Sequence, residues 1–130
     1  MKKQLVNFET AKLAKEKGFD WKPDFYSSGD YYTKHGGFIK ESLTLTYDKR
    51  MNDFYLAPTQ SLLRKWLRDK YKIHIIINYL ELSEKWTAEP IFYLEEELSL
   101  NNTMGSVEGE TYEEVLEKAI QKALNNIDYE

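Results

Sequence analysis

The sequence predicts an α+β domain, with helices packed on one face of a mostly antiparallel four-stranded sheet. Three observations carry that prediction. Two stretches, Thr59–Tyr71 and Thr111–Ile127, repeat apolar residues at three- and four-residue spacing, the period of a helix with one buried side. Other stretches alternate apolar and polar residues, as at Leu43–Tyr47 and Ile73–Tyr79, which is the period of a half-buried strand. Finally, the strands fall in pairs between helices, giving the order α-β-β-α-β-β-α across a single domain of residues 1–130.

The first helix starts at Asn7, a residue whose side chain can accept from the orphan amides of the first turn. Phe8, Ala11 and Ala14 share one side, Gly18 is the stop, and Phe19 is placed to pack back onto the last turn. Leu13 falls off that stripe. From Trp21 to Tyr47 the texture is aromatic and β-branched, broken by Ser27-Ser28-Gly29-Asp30 and by His35-Gly36-Gly37. A strand around Phe25–Thr33 can pair with one at Leu43–Tyr47, with the turn at either glycine site. Asp48–Ala57 reads as a connector, and Pro58 suits the first turn of the second helix.

In that second helix Leu62, Leu63, Trp66 and Leu67 form a continuous arc, opposite Arg64, Lys65 and Arg68. The next strand puts Ile73, Ile75, Ile77 and Tyr79 on one face and His74, Ile76 and Asn78 on the other. Glu81–Pro90 reads as a loop before a strand at Ile91–Leu100, and Asn101–Gly109, small and polar, as a mobile connector. The last helix is the clearest element. Thr111 and Glu114 form a capping box, and Tyr112, Val115, Leu116, Ala119, Ile120, Ala123, Leu124 and Ile127 follow at helical spacing.

Composition excludes several classes. A chain of 130 residues, 42% hydrophobic and 31% charged, can bury a core without metals or crosslinks. With no cysteine, disulfide scaffolds, thiolate zinc sites and cysteine nucleophiles are out, and a reducing compartment fits. The segment MKKQLVNFETAKLAKEKGF lacks the apolar run of a signal peptide, and nothing approaches the roughly 18 residues of a membrane span. The cytoplasm is the expected compartment, with no membrane contact. Charge is uneven: residues 1–79 hold 15 Lys/Arg against 9 Asp/Glu, and residues 80–130 hold 3 against 13. This split gives either opposed faces for a charged partner or, if the halves interleave in space, mutual neutralisation.

Three segments, Asn7–Phe19 (NFETAKLAKEKGF), Ala57–Ile75 (APTQSLLRKWLRDKYKIHI) and Thr111–Leu124 (TYEEVLEKAIQKAL), cover somewhat over a third of the chain. Here the sequence resembles a family of short uncharacterised proteins of Bacteroides-type gut bacteria and their phages and prophages. Ala-Pro-Thr-Gln before Leu-Leu and Lys-Trp-Leu-Arg is the most specific piece. The resemblance implies a phage-related accessory protein of unknown function, and it transfers no catalytic residue, ligand or fold.

Catalytic chemistry finds no pattern. His35 and His74 stand apart, without H-x-x-H or H-E-x-x-H spacing, and both read as structural. In Glu95-Glu96-Glu97 neighbouring carboxylates point to opposite sides of a strand, which favours a solvated face over an acid–base pair. Ser27, Ser28 and Ser61 lack a nucleophile motif, and Gly36-Gly37 lacks the frame of a phosphate loop. No cofactor is expected.

Two binding candidates stand out. One is the basic helix face, Arg64, Lys65 and Arg68 continued by Lys70 and Lys72, which suits phosphates; Asp69 interrupts it and the pI of about 5.3 argues against a dedicated nucleic-acid binder. The other is the aromatic cluster Trp21, Phe25, Tyr26, Tyr31 and Tyr32. A strand buries only alternate residues, so Tyr31 and Tyr32 cannot both face one core, and exposed Tyr and Trp suit protein interfaces as well as the open face of a sheet. The reading is a non-catalytic module that binds a protein, a second copy included. The alternative is nucleic-acid association through the basic face, and an enzyme ranks third.

Overall fold

The computed structural model describes residues 4–19, 29–33, 35–42, 54–92 and 103–127, with backbone only at 29–31, 38–42 and 54–56. The protein is α+β, in the order α1 (Phe8–Glu16), β1 (Gly29–Thr33), β2 (Phe38–Ser42), β3 (Phe54–Leu56), α2 (Gln60–Tyr71), β4 (Ile73–Leu80), β5 (Lys85–Phe92), β6 (Val107–Gly109) and α3 (Tyr112–Asn125). The described strands do not make one four-stranded sheet. They form two three-stranded antiparallel sheets, ordered β2-β1-β3 and β4-β5-β6. The chain divides into two compact units, Leu5–Pro58 and Thr59–Ile127, with Gln4 belonging to the second.

In the first unit the Asn7 side chain accepts from the Thr10 amide at 2.9 Å, the cap expected from sequence. Gly18 takes φ +92°, a left-handed backbone that glycine adopts at no steric cost, and the Phe19 amide closes onto the Ala14 carbonyl at 2.9 Å. Ala11, Ala14 and Phe19 are buried. The β1–β2 turn uses the second glycine site: the Thr33 amide donates to the Gly37 carbonyl at 2.7 Å, and Gly36 sits at φ +95°. His35 is exposed in that turn, as its neighbours predict. β2 begins at Phe38, and Leu43–Tyr47, the expected partner strand, lies outside the described residues. The connector expected at Asp48–Ala57 contains β3, which pairs with β1 through Tyr31↔Leu56 and Thr33↔Phe54. Three residues are too few for an alternation to declare itself.

The second unit packs α2 and α3 on the β4-β5-β6 sheet, α3 across β5 and β6 and α2 beside α3 over β4. Thr59 caps α2 through its hydroxyl, which accepts from the Leu62 amide at 3.1 Å, so Pro58 stands just outside the helix and not in its first turn. Leu63 and Leu67 are fully buried; Leu62 and Trp66, expected on the same arc, are half-buried at its margins. Gln60 is buried too, and its Nε2 donates to the Glu113 carbonyl at 2.9 Å and to Glu117 Oε1 at 3.0 Å, tying α2 to α3. In α3 the Thr111 hydroxyl accepts from the Glu114 amide at 3.1 Å, while the Glu114 carboxylate reaches the Glu110 amide at 3.0 Å, one residue before the cap. That amide, followed by Lys118, holds the Glu114 carboxyl below its ordinary value. A depressed carboxyl favours the folded state near neutral pH, and its contribution is lost as pH falls through the folded-state value.

Two expectations fail here, the first because of a proline and the second because three residues are too few to show a strand's period. Glu81–Pro90 is not a loop, because β5 starts at Lys85 after the turn 81–84, and Asn101–Gly109 carries β6 and a bridge from Thr103 to Ile91. Proline lacks an amide donor and so argues against a central strand. At Pro90 this costs nothing: its carbonyl, on the β6 side, accepts from the Met104 amide at 3.0 Å, so its ring nitrogen faces away from β4.

Candidate functional site

Of the sequence-derived aromatic cluster, Tyr32 is the member whose side chain is described. Trp21, Phe25 and Tyr26 lie outside the described residues. Tyr31 is placed by its backbone in β1, between Ile39 and Leu56. Tyr32 is turned inward: its hydroxyl donates to the Val6 carbonyl at 2.7 Å and its ring meets Phe8 edge-on at 5.8 Å. It serves the packing of α1 on the β1 sheet.

The basic face is also partly committed to internal contacts. Arg64 Nη2 donates to the Ile75 carbonyl at 2.6 Å and Nη1 to the Tyr112 hydroxyl at 3.2 Å. Arg68 stands 3.6 Å from Asp69 in an exposed pair. Lys70 lies over the rings of Trp66 and Tyr71, at 5.6 and 5.7 Å from their centroids. Lys72 closes the helix in a left-handed conformation, its Nζ 3.5 Å from the Asp69 carbonyl, and Lys65 is exposed. Among the described residues no group of three or more His, Asp and Glu side chains could hold a metal, and no helix is long and apolar enough to cross a membrane.

A different surface emerges at the far end of the β4–β5 hairpin. Ile76, Tyr79 and Leu80 are 47%, 46% and 45% exposed, Leu82 in the turn is fully exposed, and Tyr112 is 37% exposed. Large apolar side chains left in water in one region of a surface mark contact sites more often than singly scattered ones do. The geometry is ordered. Tyr79 pairs with Trp86 across the strands at 5.0 Å between ring centroids, and Trp86 meets Tyr112 edge-to-face at 5.5 Å. Arg64 holds the Tyr112 hydroxyl from the other side. These rings occupy the face that carries α3. Ile76 and Leu80 occupy the opposite face, alongside Asn78.

Among the described strands β4 is the outer one of its sheet. Backbone groups of alternate residues point to the same side of a strand, and the Ile75 carbonyl, bound by Arg64, points away from β5. The amides and carbonyls of Ile77 and Tyr79 therefore point outward too. Arg64 satisfies the edge at Ile75, and among the described residues no backbone group pairs with the edge beyond it. A free edge flanked by exposed apolar side chains is chemically suited to pairing with another extended chain.

Sequence reasoning placed Tyr112 on the buried stripe of α3 and Ile76 on the less buried strand face. It had no signal that β4 would be an outer strand, since strand order is not written in local periodicity. Comparison with protein-family models, curated proteins and solved structures returned no match for this chain.

Proposed function

We propose that the protein is a non-catalytic protein-binding module whose contact surface is the exposed end of the β4–β5 hairpin. The observation that carries this reading is that Ile76, Tyr79, Leu80, Leu82 and Tyr112 are exposed around a strand edge left unpaired among the described residues. Aromatic anchors beside backbone donors and acceptors supply the two things a strand-adding interface uses, apolar burial and main-chain pairing. Such a module suits a phage-type accessory protein, as the sequence resemblance implies, in the cytoplasm expected from the lack of long apolar runs. The Trp21–Tyr31 aromatics would be a second contact region on sequence grounds alone. Nucleic-acid association, the alternative, would rest on Lys65, Lys70 and Lys72, since Arg64 is bonded internally and Arg68 sits beside Asp69.

The test compares the wild-type chain with Leu82→Ser as bait in its native host, with proteins and nucleic acids both measured in the eluate. Leu82 contributes nothing to the core, so its loss should change stability by less than about 0.5 kcal/mol. A specific protein partner should be retained by the wild type and depleted at least about tenfold with Leu82→Ser. Retention unaffected by Leu82→Ser but abolished by nuclease would favour the alternative.

A further inference from the structure

We infer that the partner of this edge is an extended segment carrying basic and aliphatic residues in alternation. This deepens the reading above and rests on it. The two faces of β4 differ at the open edge. On the α3 side Tyr79 leads to Trp86 and Tyr112, and the chain around those rings is acidic: Glu81 and Glu84 in the turn, Glu110 and Glu113 beside Tyr112, all exposed. Against these, the described cations nearby are Lys85 and the internally bonded Arg64. Lys118 is held by Glu114 at 3.2 Å and by the Glu108 carbonyl at 2.8 Å.

Carboxylates around aromatic faces attract lysine and arginine twice over, by charge and by the ring quadrupole. On the other side Ile76 and Leu80 offer aliphatic contact to residues of the opposite parity. A strand paired to the backbone of Ile77 and Tyr79 would place its successive side chains alternately on these two faces. Alternation of basic and aliphatic residues is therefore the pattern that satisfies both.

The test is a titration of the full-length, nitrogen-15-labelled chain with a capped hexapeptide alternating lysine and valine, and with its glutamate–valine counterpart, followed by amide chemical shifts. The lysine peptide should shift the amides of Ile77 and Tyr79 and bind at least about tenfold more tightly than the glutamate peptide. Ile77→Pro removes the outward-facing donor while leaving the bonds to β5 in place, and should abolish the shifts. Glu110→Lys combined with Glu113→Lys alters only exposed side chains, and should erase the preference for lysine.

Equal affinity for the two peptides, or shifts centred away from β4, would overturn the inference. So would a peptide-free mass near twice 15.5 kDa that Ile77→Pro returns to monomer, because a second copy would then occupy the edge. If the host partner is lost with Leu82→Ser while the lysine peptide fails, the binding reading stands and the basic specificity falls.

Discussion

Leu116→Ala is expected to destabilise the protein by about 2–5 kcal/mol, the range for truncating a buried leucine and leaving a cavity behind. Leu116 is 2% exposed and belongs, with Val115 and Ala119, to the buried residues of α3, the helix that packs across β5 and β6. Ile120 and Leu124 of the same helix and Leu63 of α2 are fully buried, so the packed core cannot collapse into the space without moving a helix. Chemical denaturation of the wild type and variant measures the difference. A loss below about half a kcal/mol would mean that α3 does not pack as described.

Gly109→Val is the second large effect, from the opposite error. Gly109 ends β6 opposite Trp86, where α3 begins, and a side chain there would place its first carbon 3.1 Å from the Val115 amide nitrogen and 3.3 Å from the Val115 Cα. Backbone atoms at the start of a capped helix cannot yield as a flexible side-chain tip would. Overpacking of this kind costs about 1–3 kcal/mol. Gly109→Ala should cost less, and the ranking of the two in thermal unfolding checks that sterics and not backbone freedom set the penalty. Because Trp86 and Tyr112 flank this junction, the valine variant should also disturb the hairpin surface.

These two residues show what the sequence made legible. Leu116 belongs to a helix whose cap and period are both written in the chain, and Thr111 caps it as read. Asn7 does the same for α1, and the isoleucine alternation of β4 is equally explicit. Gly109 belongs to what was not legible. β3 and β6 have three residues each, β5 contains a proline, and none of them shows a local period; β3 and β6 are strands because a longer neighbour offers a ladder, and β5 because β4 pairs with it along its whole length.

The candidate site was hidden for a related reason. Nothing local to Ile76, Leu80 or Leu82 says that β4 lies at the rim of a sheet, and Arg64 looks like a solvated cation until the Ile75 carbonyl is found 2.6 Å from it. Tyr112 fits the apolar stripe by spacing, yet it stands in the first turn of α3, past the end of the buried layer. The Trp21–Tyr32 cluster was prominent because aromatics are dense there, but density alone does not give orientation, and Tyr32 turned inward to the Val6 carbonyl.

Amide hydrogen exchange in the isolated protein tests the open edge most directly. The pairing register places Ile76 and Asn78 opposite Glu89 and Thr87, with their amides directed at β5, while the amides of Ile77 and Tyr79 point outward. Exchange should therefore alternate along β4, with Ile76 and Asn78 protected and Ile77 and Tyr79 exchanging orders of magnitude faster. Uniform protection of all four amides in a monomer would show the edge already covered and would contradict the proposed binding surface.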